Sequence, residues 1–184
     1  MTMTLLATAR AFLQVRCDSL LKDVRHCVLH CRSTPDWPAP FPALLYCFST
    51  IDLLGALYAG NATHTAPTTT QARQYMLDLM KYPTLQANLL QLQFRHKLVH
   101  LAQPQPRVQH GGVTYLWAYH HHDRIRHLQV VRLPNGESQF WVSITSLAED
   151  VAASVSNADG YLDRLAAEAQ LQANFQKAYD EITT

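Results

Sequence analysis

The stretch from Phe41 to Ala59 constrains the fold most, because the helix it predicts is apolar on nearly every side. Such a helix has no face that favours water, so it belongs in the middle of a packed structure. The chain has 184 residues, 48% hydrophobic and 16% charged, which is enough to bury this helix without disulfides or a metal. We therefore predict a mainly α-helical single domain over 1–184, with this segment at its centre.

Other regions show the helical repeat of apolar residues. A first helix is predicted from about 4 to 32, and it ends where three prolines between 35 and 40 exclude a helix. After the central helix we expect helices at about 71–80 and 84–102, with threonines capping both, Thr84 the second of them. Helical periodicity returns from about 144 to 183, with a break near 154–160. The predicted bundle is thus 1–102, followed later by C-terminal helices in 144–184.

The residues between these helical regions, 103–143, change to the pattern of strands. The runs 113–119, 128–133 and 138–142 are rich in β-branched and aromatic residues. Asn135-Gly136 is a strong signal for a tight hairpin turn. We predict a small antiparallel β-hairpin or meander inserted before the C-terminal helices.

Arg95 and His100 are the main candidate functional residues. They stand five apart in the predicted helix 84–102, about 140° apart around its axis and about 7.5 Å along it. A long arginine side chain can bridge that gap, so the pair could address one phosphate. The structural alternative is an arginine in solvent and a histidine stabilised by the dipole at the helix end.

The segment Phe94-Arg95-His96-Lys97-Leu98-Val99-His100 resembles the HEPN superfamily motif, in which four to six residues separate an arginine from a histidine. Residues 44–55, an apolar run with one acid, resemble the buried second helix of bacterial members. A proline-rich turn and a short hairpin after the motif are similar to bacterial HEPN-like proteins. The resemblance covers about 40–145.

This resemblance implies a HEPN-like helical bundle that forms a homodimer across the motif helix and cleaves RNA without a metal or other cofactor. His100 would act as base or acid on the 2′-hydroxyl and the leaving oxygen, while Arg95 would hold the phosphate. It also implies a bacterial toxin or phage-defence component, with an antitoxin protein as a further partner. The alternative is a non-catalytic module that binds RNA, a nucleotide or a partner protein.

Asp52 and His96 are expected to orient Arg95 and His100. Asp52 is the one acid of the central helix, and a buried carboxylate needs a partner such as Arg95 or His96. His96 and Lys97 add positive charge beside the motif. Asp52 could instead face solvent or cap a neighbouring turn.

The histidine run His120-His121-His122, followed by Asp123, has two interpretations, as part of an RNA-contact surface or as a metal site. We predict no metal there and assign Tyr119, Arg124 and Arg126, together with Lys97, as additional RNA contacts. A metal-dependent enzyme that uses the histidines is the third functional alternative. His26, Cys27, His30 and Cys31 share helical spacing, and we read the two cysteines as buried thiols.

Charge and targeting signals constrain function only loosely. The formal charge of +1 with ten histidines neither demands nor excludes an RNA substrate. Arg10 and Arg16 interrupt the apolar residues that a signal peptide would need, and Asp52 interrupts the longest apolar run. Four cysteines without a dense framework read as reduced thiols. We expect a cytoplasmic protein that does not cross a membrane.

Overall fold

The structure is a computed structural model that describes residues 3–30, 32–34, 37–38, 40–96, 98 and 104–184. Side chains are described for all of these except residues 3, 4, 32–34, 37 and 38. The architecture is mainly helical with one small sheet before the C-terminal helices, as predicted. The helices are α1 (Met3–His30), α2 (Pro40–Ala59), α3 (Thr68–Asp78), α4 (Thr84–Leu89), a π-helical segment (Leu90–Arg95), α5 (Ile144–Ser156), α6 (Tyr161–Ala167) and α7 (Ala169–Thr183).

The strands are β1 (Arg32–Thr34), β2 (Trp37–Pro38), β3 (Arg107–His110), β4 (Val113–His120), β5 (Val130–Arg132) and β6 (Ser138–Ser143). β1 and β2 form a separate two-stranded antiparallel sheet. The other four strands form a mixed sheet, so the prediction of an antiparallel meander is wrong. Its order is β3-β4-β6-β5, in which β4 and β6 run parallel while the outer pairs are antiparallel. The turn at Asn135-Gly136 is confirmed, since Gly136 has a φ of +85° and its N–H donates to the carbonyl of Leu133.

The chain divides into two compact units, and several helices contribute to both. The first unit comprises 1–20, 49–82 and 150–184, and the second comprises 21–48 and 83–149. The prediction that 1–184 is a single domain stays a prediction.

In the first unit, three tyrosines form an aromatic core. Tyr58, Tyr75 and Tyr161 lie edge to face, with each pair of ring centroids 6.0 Å apart. The hydroxyl of Tyr75 bonds that of Ser154 at 2.9 Å. Gly55 lets α2 approach α3, because a Cβ at this position would lie 2.7 Å from the backbone nitrogen of Ala72.

In the second unit, aromatic side chains from helices and sheet pack together. Phe94 lies after α4 and packs against Phe48 of α2, with ring centroids 6.4 Å apart. The same ring contacts Trp117 of β4 and Phe140 of β6, each at 6.2 Å. One face of the sheet is thereby covered by the helices.

Two predicted helix caps are wrong. α3 begins at Thr68, so its threonines lie inside the helix, and Pro67 takes the capping position. Thr84 is likewise the first helical residue, after Pro83. Proline suits a helix start, because its fixed φ is compatible with the first turn and its missing N–H costs nothing there.

α2 is long and apolar enough to cross a membrane by length and composition, although Asp52 lies within it. In its most apolar window 56% of the residues are buried within the structure. Such burial is what a packed core helix requires, in agreement with the central position predicted for this segment.

Candidate functional site

The motif helix starts as a regular α-helix and then widens. Over Leu90–Arg95 it is π-helical, and the N–H of His96 donates to the carbonyl of Gln91, five residues back. Short π segments inside α-helices are rare and frequently occur at functional sites. Arg95 is the last residue of this segment.

Two buried residues of the π segment fix it to the sheet. The side-chain nitrogen of Gln93 donates to the carbonyl of Tyr115 at 2.8 Å, and the backbone carbonyl of Gln93 accepts from the N–H of Gln105 at 2.6 Å. Phe94 is fully buried against Phe140. The contacts of Gln93 and Phe94 therefore hold in place the turn that carries Arg95.

The predicted catalytic residues are only partly described. Arg95 is buried, with 9% of its surface exposed, whereas His96 is exposed on the same helix. His100 and Lys97 lie outside the described residues. Asp52 has a buried carboxylate oxygen and belongs to the first unit, while Arg95 belongs to the second. The roles assigned to these five residues stay predictions.

A second group of polar and aromatic residues lies at the end of β4. We call His120, Asp123, Arg126 and Trp141 the Trp141 cluster. The rings of His120 and Trp141 stack with centroids 4.8 Å apart and planes 22° apart. The guanidinium carbon of Arg126 lies 5.3 Å from the Trp141 ring centroid, a cation–π distance.

Polar contacts hold Arg126 over the ring. Its Nη1 lies 3.0 Å from Nε2 of His120 and its Nε lies 3.5 Å from a carboxylate oxygen of Asp123, whose other oxygen accepts the Arg126 backbone N–H. Arginine can only donate, so Nε2 of His120 accepts in this contact. The same Nε2 lies 3.9 Å from a carboxylate oxygen of Asp123.

Backbone bonds fix the loop that follows β4. The carbonyl of His121 accepts from both the N–H and the hydroxyl of Thr145, at 3.1 and 2.8 Å. The N–H of Ser143 donates to Nδ1 of His127 at 3.1 Å. His121 and His127 thus serve as anchors of the loop, a role that the histidine run did not suggest.

Two other predicted RNA contacts, Tyr119 and Arg124, are described by the structure. Tyr119 stacks on Trp117 with centroids 5.6 Å apart, and burial raises the pKa of its hydroxyl. Arg124 is exposed but donates to the carbonyl of Ser146 at 3.1 Å. A shallow cleft of about 330 Å³ opens beside these residues, lined by Trp117, Ala118, Tyr119, His120, His121 and Trp141.

Within the described part of the chain, no group of three or more His, Cys, Asp or Glu side chains is placed to hold a metal ion. His26 and His30 do meet on α1, with ring centroids 4.9 Å apart. Cys27, between them, is half-buried, while Cys31 lies outside the described residues.

Sequence reasoning missed Trp141 as a member of a site, and it considered Asp123 only as part of a possible metal site. Trp141 is on β6, and only the parallel pairing of β4 with β6 brings it beside His120. The one signal available was alternation along 138–142, which places Gln139 and Trp141 on the face opposite Phe140.

Comparison of the chain with protein-family models, with curated proteins and with solved structures finds no match.

Proposed function

We propose that this protein binds RNA through its β segment, residues 104–143. The observation that carries the proposal is the Trp141 cluster, where a tryptophan, a histidine and an arginine lie together at the surface. Proteins that bind unpaired RNA combine stacking side chains with arginines that contact the phosphates.

The charge of the β segment supports the proposal. It contains four arginines, no lysine and two acids, together with half of the chain's ten histidines. The guanidinium group suits phosphate contacts and stacking better than an ammonium group does. Arg107 is paired with Glu137 at 3.4 Å and Arg126 with Asp123 at 3.5 Å, so the segment carries a formal net charge of +2.

The first test is the salt dependence of binding to a single-stranded 12-nucleotide RNA. Each phosphate contact of a single strand contributes about 0.7 to the slope of log K against log salt. The double variant Arg124→Gln/Arg132→Gln should therefore lower the slope by about 1.4. Fluorescence anisotropy between 50 and 300 mM salt measures it.

The matched control removes the same charge elsewhere. Arg10 and Lys177 are exposed cations outside the β segment, and Arg10→Gln/Lys177→Gln should leave the slope unchanged. An equal loss in both double variants, or no binding by the wild type at 50 mM salt, contradicts the proposal.

Cleavage of RNA without a metal is a second candidate function. It is favoured by the π-helical segment that ends at Arg95, since such a segment is an irregularity typical of functional sites. The likeness to the HEPN superfamily adds His100 as acid or base and a homodimer that brings two Arg95–His100 pairs to one phosphate. A toxin or phage-defence role with an antitoxin partner belongs to this candidate.

The test measures RNA cleavage in the presence of a metal chelator by the wild type and by the variants His100→Ala and Arg95→Lys. Loss of an acid or base lowers a rate by about 10²- to 10⁴-fold, so His100→Ala should abolish detectable cleavage. Arg95→Lys keeps the charge of a buried residue and removes the bidentate contact. The products should end in 2′,3′-cyclic phosphate.

His64→Ala is the control, because His64 is an exposed histidine outside the motif helix. It should lower the rate far less than His100→Ala does. Cleavage that disappears in chelator, or that survives in His100→Ala, excludes this mechanism and leaves RNA binding as the function.

A further inference from the structure

The two faces of the sheet differ in what covers them. In the parallel pair, Trp117 is opposite Phe140 on the face that packs against Phe94. Ala118 is opposite Trp141, and because side chains alternate along a strand, these two lie on the other face. Trp141 is thus a large aromatic residue, half-buried, on the face turned away from Phe94.

The Trp141 ring is covered by side chains that can leave it. Arg126 comes from the loop between β4 and β5, and its side chain is 52% exposed. An exposed cation–π contact is weak compared with one that is shielded from water. The ion pair of Arg126 with Asp123 at 3.5 Å is partly exposed, and ion pairs at a protein surface contribute little to stability.

An RNA base gains more from the ring than Arg126 does. Removal of one aromatic side chain on which a base stacks weakens single-strand binding about 5- to 150-fold. Once displaced, the Arg126 guanidinium can donate to the phosphate next to that base, and charge-assisted bonds are the stronger ones. The exchange therefore replaces the contacts of Arg126 with the ring and with His120 by a stacked base and a charge-assisted phosphate bond.

Resting on the proposed RNA-binding function, we infer that Trp141 is the stacking site for one unpaired base of single-stranded RNA and that Arg126 moves from the ring to the adjacent phosphate. His120 borders the same ring and offers its Nε2 as an acceptor when Arg126 leaves. Duplex RNA does not bind at this site, because its bases are already stacked and paired.

The test measures binding of a labelled single-stranded 12-nucleotide RNA, its blunt duplex and DNA of the same sequence. Trp141→Ala should weaken single-strand binding about 10- to 100-fold, and Trp141→Phe, which keeps a ring, less than about 5-fold. Arg126→Gln should also reduce the salt slope by about 0.7. Arg107→Gln is the control, since Arg107 is paired with Glu137 and lies on β3.

A second measurement follows the ring itself. Intrinsic tryptophan fluorescence should be quenched by the single strand in the wild type and much less in Trp141→Phe, which retains the other two tryptophans. Circular dichroism of both Trp141 variants confirms folding, and Trp141→Phe keeps the test valid if the alanine variant unfolds.

Three results overturn the inference while RNA binding itself stands: equal affinity for duplex and single strand, wild-type affinity in both folded Trp141 variants, or a salt slope in Arg126→Gln no lower than in Arg107→Gln. Equal affinity for the DNA strand overturns the assignment to RNA. No binding of any RNA by the wild type defeats the proposed function instead.

Discussion

Replacing Phe94 with alanine will lower the free energy of unfolding by about 3–5 kcal/mol, as is usual for a large buried aromatic residue. Phe94 is fully buried and contacts Phe48, Trp117 and Phe140. Its removal takes away the ring that joins the π segment to both β4 and β6. The cavity left among three large rings cannot close easily, because each ring is itself held by other contacts.

Urea unfolding followed by circular dichroism measures the loss. The control is Leu92→Ala, two residues earlier on the same helix, where the side chain is 43% exposed and the expected loss is below about 1 kcal/mol. Phe94→Leu should fall between the two. Equal midpoints for Phe94→Ala and Leu92→Ala contradict the role given to this ring.

Sequence patterns predicted the helices well where burial decides the structure. α2 was expected from its all-round apolarity, and it is found at Pro40–Ala59. The break near 154–160 is found between α5 and α6, where Gly160 precedes the new helix. In both places one local feature, a continuous apolar surface or a glycine, determines the outcome.

Topology could not be predicted in the same way. β3, with the sequence Arg-Val-Gln-His, has no apolar run and becomes a strand only because it pairs with β4. The order of β5 and β6 follows from burial: Val130 and Val131 are exposed at the sheet edge, whereas Phe140 and Val142 are fully buried in the interior strand. A tight turn connects β5 to β6, but nothing local states that β6 will pair with β4.

The candidate site was predicted only in part, because it also depends on the pairing of strands that are distant in the sequence. Tyr119 and Arg126 were chosen from the composition of one stretch, and they do lie at the end of β4 and in the loop that follows it. Trp141 is 15 residues further along the chain than Arg126. It comes beside His120 through the parallel pairing and beside the Arg126 loop through backbone bonds to Leu128 and Gln129. The π turn at Arg95 likewise has no sequence signal, because the composition of residues 90–95 suits an ordinary α-helix.

Raising the pH from 8 to 11 will destabilise the protein by an amount on the order of 5 kcal/mol, because four buried groups must stay protonated in the folded state. Burial raises the pKa of Cys17 from 9.0 to about 11, with a smaller contribution from Asp18. Burial also raises the pKa of the Cys47 thiol far above its ordinary value. Burial likewise raises the pKa of the Tyr75 and Tyr161 hydroxyls above the ordinary value of 10.0.

The loss of stability at high pH follows from the number of protons bound in each state. Above pH 9 the unfolded thiols, and above pH 10 the unfolded tyrosines, lose protons that the folded state retains, so the unfolded state gains stability. The contribution of each group is fully present below its unfolded pKa and is lost as the pH rises through the folded value. Urea midpoints at pH 8, 9, 10 and 11 should fall, most steeply above pH 10.

Tyr161→Phe separates this cause from general charge repulsion. The Tyr161 hydroxyl has no hydrogen-bond partner among the described residues, so its removal should change stability little at pH 8. Between pH 10 and 11 the variant should lose about 1 kcal/mol less than the wild type. Tyr179→Phe, at a half-exposed ring, is the control and should follow the wild type. If both variants lose stability as the wild type does, the burial of Tyr161 is not what drives alkaline unfolding, and the net charge of the chain is the better explanation.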